Sequence, residues 1–207
     1  MVLPMGRITA KEKLLSAAEA LMLADGYSRT TVESVCEDAG VTKGSLYHHF
    51  KTKEDLGIAV LDGWISRNAE ILQNGPHQAV TDPTQAALVY LQHVADSAPD
   101  LWRSGCFVGS LSMDIAGASD RMQKSVETIF RGFVKEHTDL FQPVVEKSKL
   151  ENVPSAEELA EWFLSSIEGS IVLAKAYRQI DPITRAVESF RRYLEILIGE
   201  PTTGREN

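Results

Sequence analysis

Residues 30–50 read Thr30-Thr31-Val32-Glu33-Ser34-Val35-Cys36-Glu37-Asp38-Ala39-Gly40-Val41-Thr42-Lys43-Gly44-Ser45-Leu46-Tyr47-His48-His49-Phe50. On either side of Gly40 the apolar residues Val32, Val35 and Ala39, then Val41, Leu46 and Phe50, fall mostly three to five positions apart, as in two short helices joined by a tight reversal. Upstream, Leu14, Ala18 and Leu21 repeat the spacing, so three short helices can interlock around one small core. Ala39 permits close approach, Gly40 takes the reversed backbone and Val41 plugs inward, which sets one helix across the next as in a helix-turn-helix. The helix after the turn is then the one that faces outward. Its first turn holds Thr42, Lys43, Gly44 and Ser45, where free amides and the positive end of the helix dipole attract phosphate. Gly44 is a poor helix former and suits a place where backbone must approach another surface. Tyr47 and His48 can reach phosphates or base edges, with Lys51 and Lys53 following as phosphate contacts and Thr30 and Thr31 adding a hydroxyl and amide site. His49 turns away from His48 by about 100° and is the weaker contact.

The charge distribution restricts how such a unit could work. The 207-residue chain has a net charge of −8, which argues against coating nucleic acid through bulk electrostatics. The first 56 residues carry seven Lys/Arg against eight Asp/Glu, whereas residues 57–207 carry fourteen against twenty-one. Residues 40–53 contain Lys43, Lys51, Lys53, His48 and His49 and no carboxylate. A small positive patch on an acidic molecule suits a specific double-stranded DNA partner.

Three segments together carry a family resemblance: Thr30-Thr31-Val32 through Val35, Ala39 through Phe50, and Lys53-Glu54-Asp55-Leu56. They resemble the signature of the TetR family of transcriptional regulators, over about residues 8–60. The resemblance implies a three-helix DNA-binding domain followed by a variable helical domain for effector binding and dimerisation. It also implies a homodimer acting as a repressor on a roughly palindromic operator, released when a small molecule alters the larger domain.

The remaining chain reads as all-α, with the helical period dominant and its ends well marked. Thr9 to Glu12, Thr30 to Glu33, Thr52 to Asp55 and Ser155 to Glu158 each fit a capping box, while Asp82-Pro83 and Asp181-Pro182 put a capping carboxylate before a first-turn proline. Helices are expected near 9–25, 31–39, 43–49, 53–73, 83–98, 106–117, 120–149, 155–179 and 182–198. The expected organisation is a DNA-binding domain over 1–52, an effector and dimerisation domain over 53–199, and a flexible tail over 200–207. No apolar run is long enough for a membrane span and Met1 to Gly6 lacks the layout of a signal peptide, so a cytoplasmic protein without a membrane partner is expected. Cys36 and Cys106 lie outside any paired spacing, so neither a disulfide framework, a metal nor another cofactor is called for.

The larger half supplies the candidate sensing residues. Trp102, Phe107, Met113, Phe130, Phe133, Trp162 and Tyr177 are potential linings of an effector cavity. Phe163, Ile167, Ile171, Phe190, Leu194 and Leu197, on the last two long helices, suit a four-helix interface between two copies. Cys106 follows Ser104-Gly105 at a helix start, where free amides favour a thiolate, and Lys175 is a lone cation in an apolar run that could activate such a thiol. Gly105 through Met113, with Arg121-Met122, resembles the TetR subgroup that includes NemR-like electrophile and oxidant sensors. Induction by modification of Cys106 is one expectation, and induction by a non-covalent apolar or aromatic molecule is the other.

Two rival classes fit the sequence less well. His93 with Asp96, and Asp114 with distant His137, lack metal-ligand or acid–base spacing, and no phosphate loop or nucleophile elbow occurs, so no enzyme is expected. A helical protein-interaction module without DNA would leave the carboxylate-free, lysine-bearing turn without a role.

Overall fold

The computed structural model describes residues 8–115 and 119–199. Among these, nine α-helices account for the fold, with no strand. They are α1 (Ala10–Asp25), α2 (Val32–Ala39), α3 (Lys43–His49), α4 (Lys53–Gln73), α5 (Pro83–Trp102), α6 (Phe107–Asp114), α7 (Asp120–Lys147), α8 (Ala156–Tyr177) and α9 (Asp181–Ile198), with one 3-10 turn at Pro76–Ala79.

Capping chemistry places most of these starts. The Thr9 hydroxyl accepts from the Glu12 amide while the Glu12 carboxylate accepts from the Thr9 amide, and Ser155 with Glu158 repeats the arrangement. Thr52 and Asp55 exchange the same pair of bonds at α4, and Asp82 accepts from the Thr84 and Gln85 amides at α5. Two expectations are corrected. The cap of α2 is Thr31 with Ser34, not Thr30 with Glu33, because Thr30 turns inward and its hydroxyl donates to the Gly26 carbonyl at 2.8 Å. Asp181 lies inside the first turn of α9 and caps nothing there. Helix α5 runs past Pro99 to Trp102 instead of stopping at 98. The expected end of α6 at 117 and the expected tail over 200–207 lie outside the described residues.

The chain forms two compact units. One joins residues 1–66 to 107–126; its core contains Leu14, Ala18, Val35, Leu46, Leu56, Leu61, Phe107, Val108, Leu111 and Met122. There, α2 and α3 meet at Gly40, whose φ of 62° and ψ of 39° are left-handed, the conformation a glycine adopts without a side-chain clash. The Gly40 amide closes onto the Cys36 and Glu37 carbonyls.

The other unit joins residues 67–106 to 127–207. Helices α5, α8 and α9 pack around Leu91, Val94, Leu159, Phe163, Ile183, Val187 and Leu194. Phe141, Phe163 and Phe190 form an aromatic triangle with ring centroids 5.0–5.8 Å apart. Each such side chain contributes about 1.5–3 kcal/mol on leaving water.

Candidate nucleic-acid interface

The helix-turn-helix presents α3 outward by burying one side of it. Leu46 is fully buried and Phe50 nearly so, which turns Thr42, Lys43, Gly44, Tyr47 and His48 to solvent, with Ser45 at the margin. Thr42 caps α3 by accepting from the Ser45 amide at 3.2 Å. Tyr47 is 53% exposed, a large amphipathic side chain with its hydroxyl free to reach a groove or a phosphate. A Cβ added at Gly44 would meet nothing nearer than the Thr42 hydroxyl at 3.8 Å, so no neighbour inside the protein demands a glycine.

The charged groups divide between presented and engaged. Lys51 is exposed. Lys43 is exposed and pairs with Glu33 of α2 at 2.5 Å, a hydrogen bond that pushes the lysine up and holds the carboxylate below its usual range. Lys53 departs from the expectation of a free phosphate contact. Its ammonium donates to the Ser28 carbonyl at 3.3 Å and lies 4.3 Å over the Tyr27 ring, and burial pulls its pKa down. Thr31 is exposed at the α2 cap, whereas Thr30, at 3% exposure with its hydroxyl committed to Gly26, shapes the turn instead of facing out. Cys36 is buried and its thiol pushed up by that burial, as a packing residue would be.

The sensing candidates divide between the two units, with Phe107 and Met113 in the first and the others in the second. Trp162 stands edge-on to Phe190 at 5.1 Å and to Tyr193 at 4.9 Å on the outer side of α8 and α9, and Phe130 meets Phe133 at 6.2 Å. Phe107 is core, Trp102 is half-buried, and Met113 (84% exposed), Lys175 and Tyr177 face solvent. Cys106 is 4% exposed and immediately precedes α6. Its thiol bonds to Glu168 of α8, whose carboxyl is pushed up by burial against the pull of that bond. A carboxyl is thus a partner of this thiol.

The residues expected at a dimer interface face inward in the single chain. Phe163, Ile167, Ile171, Phe190, Leu194 and Leu197 are all buried inside their own unit. On the same two helices, Trp162, Val172, Leu173, Tyr177 and Ile196 remain exposed, next to the small Ser165, Gly169 and Ala176.

Sequence reasoning did not single out the buried polar pair at the heart of this unit. The Nδ1 of His137 hydrogen-bonds the Phe133 carbonyl at 2.8 Å, which makes it the protonated nitrogen and leaves Nε2 to accept from the Tyr90 hydroxyl at 3.2 Å. The phenol is pushed far up and the imidazole down, both by burial. Only the four-residue spacing of Phe133, His137 and Phe141 hinted that His137 faces inward.

Comparison with known proteins agrees with this geometry. Residues 14–60 match the profile of bacterial regulatory proteins of the tetR family, and residues 83–189 that of the LmrA/YxaF-like transcriptional regulator C-terminal domain. The transcriptional regulator AcuR of Cereibacter sphaeroides is 27% identical over 89% of this chain and 84% of its own length. The repressor DhaR of a Mycobacterium species is 25% identical over 86% and 89%. The crystal structure of the reduced form of Escherichia coli NemR superposes with a TM-score of 0.70 at 24% identity, covering 94% of this chain and all of that one. Among the described residues no helix is long and apolar enough to cross a membrane. With helix-turn-helix geometry at one end and a matching regulator domain over half its length, this chain is a DNA-binding transcriptional regulator of the TetR family.

Proposed function

We propose that two copies of the chain bind a roughly palindromic operator as a repressor and release it when a small molecule acts on the larger helical unit. The observation that carries the DNA contact is the outward face of α3: Gly44 exposed and uncrowded, with Thr42, Lys43, Ser45, Tyr47 and His48 around it. Thr31 and Lys51 extend that face as phosphate contacts. The dimer forms through the apolar residues left uncovered on α8 and α9, Trp162, Leu173 and Ile196 among them. Residues 1–52 thus read DNA and residues 53–199 sense and pair.

Selection of genomic fragments by the purified protein, repeated with Tyr47→Ala, tests this reading. Recovery of one palindromic sequence, weakened at least tenfold by the substitution, supports it. Recovery of nothing, or equal recovery by the variant, overturns it.

For the inducing signal, the burial of Cys106 beside a carboxyl favours a non-covalent effector of apolar or aromatic character. A second reading, modification of Cys106 by an electrophile or oxidant, is supported by similarity to the Escherichia coli repressor NemR, at 25% identity over 86% of this chain. Treatment with a maleimide separates them. Loss of DNA binding in the wild type but not in Cys106→Ser establishes the thiol reading; equal behaviour of the two proteins removes it.

A further inference from the structure

Within the unit that holds the helix-turn-helix, residues remote in sequence grip the turn between α1 and α2. Ser28, in the middle of that turn, is engaged through three atoms. Its amide donates to the Asp114 carboxylate at 2.6 Å, its hydroxyl donates to the Asp114 carbonyl at 3.2 Å, and its own carbonyl accepts from Lys53 at 3.3 Å. Gly26, with φ at 93°, brings the backbone so close that a Cβ there would stand 3.2 Å from the Asp114 carboxylate. A second grip closes on the start of α4, where Arg121 donates to Asp55 at 2.7 Å and Ser119 donates to Glu54. Asp114 is the last residue of α6, and α6 begins directly after Cys106.

These contacts have a directional consequence. Thr31, three residues after Ser28, caps α2, and α2 with Gly40 sets α3. Fixing Ser28 therefore fixes where the recognition helix begins. We propose that Asp114 is a positioning residue for DNA binding: its carboxylate, at the end of α6, holds the α1–α2 turn in the register that presents α3. The proposal rests on the DNA-binding reading above.

Simple electrostatics predicts the opposite sign, which makes the idea testable. Removing a carboxylate from a DNA-binding unit should strengthen attraction to phosphate. If Asp114 positions the turn, Asp114→Ala instead weakens binding to the fragment selected by the wild type, by about tenfold, within the roughly 5–150-fold range of coupling between sites. Asp114→Asn keeps an acceptor oxygen without the charge and restores binding to within about twofold of the wild type. The slope of log affinity against log salt stays the same in all three proteins, because no phosphate contact is lost. If Asp114→Ala fails to fold, Asp114→Glu, which keeps the charge and displaces the oxygens by one methylene, takes its place and is expected to weaken binding in the same way. Equal or tighter binding by the Ala or Glu variant, or a changed salt slope, overturns the positioning role alone. A wild-type protein that selects no fragment overturns the DNA-binding reading and the positioning role with it.

Discussion

Gly44 occupies the second position of a seven-residue helix, where alanine would be the better helix former by about 1 kcal/mol. Nothing in the protein crowds a methyl group there, so Gly44→Ala is expected to leave the unfolding midpoint unchanged or raise it slightly, while operator affinity falls about tenfold. Thermal unfolding and DNA titration on the same samples check the dissociation of the two effects, and a variant that binds normally removes close approach as the reason for the glycine. Gly57 is the converse case. A Cβ there would stand 2.8 Å from the Met122 methyl and 2.9 Å from the Tyr27 ring, so Gly57→Ala should cost about 1–3 kcal/mol of stability, measured by denaturant titration. His137 sets a pH dependence. Above its ordinary value of 6.5 the ring is neutral whether the chain is folded or not. Below it the unfolded chain takes up a proton that the buried ring resists, so stability falls with pH until the lowered folded value is reached. His77, also held down by burial and by His93, adds to the same slope. The unfolding midpoint should decline from pH 7 toward pH 5, less steeply in His137→Gln, and an unchanged slope in that variant would sink the assignment.

At the level of helices, the residues that end an element act as clearly as those that start one. Arg178 closes α8 with φ at 56° and ψ at 38°, a left-handed conformation that strains any residue with a Cβ, so Arg178→Gly should stabilise the protein by roughly 0.5–1 kcal/mol in denaturant titration. The helix starts were legible in sequence wherever a hydroxyl and a carboxylate stood three positions apart, as Thr9 with Glu12 and Ser155 with Glu158, because those bonds are local. They were misread by one residue at α2, where Thr30 and Thr31 are equivalent in sequence and only the inward bond of Thr30 to Gly26 decides between them. Helix α5 outran the expected end at 98: it continues through Pro99, although proline removes a helix bond, with Ala98 and Leu101 buried on the core side. Long-range partners were beyond reach: Asp114 lies 86 residues from Ser28, and Tyr90 lies 47 from His137. No periodicity encodes such pairs. For the same reason the outward side of α3 was readable from one 21-residue stretch, whereas the attachment of residues 107–126 to the first unit was not.

For the whole molecule, a net charge of −8 means that a single copy approaches DNA against its own field, with the patch on α3 and its flanks in favour. In the proposed dimer two linked half-site contacts would overcome that, since joining two binding events can raise affinity by about 10²–10⁴ without any new contact. Pairing is therefore a condition of function in this reading, and the uncovered apolar face of α8 is where it can be broken without touching the core. Leu173 is exposed in the single chain, so Leu173→Glu should leave the fold intact while placing charge in the proposed interface. Sedimentation should show a dimer for the wild type and a monomer for the variant, with matching helical content. Operator affinity should fall at least a hundredfold, and the variant should bind an isolated half-site no worse than the wild type does. A variant that stays dimeric would move the interface off this face, and a monomeric variant with undiminished operator affinity would show that one copy suffices to read DNA.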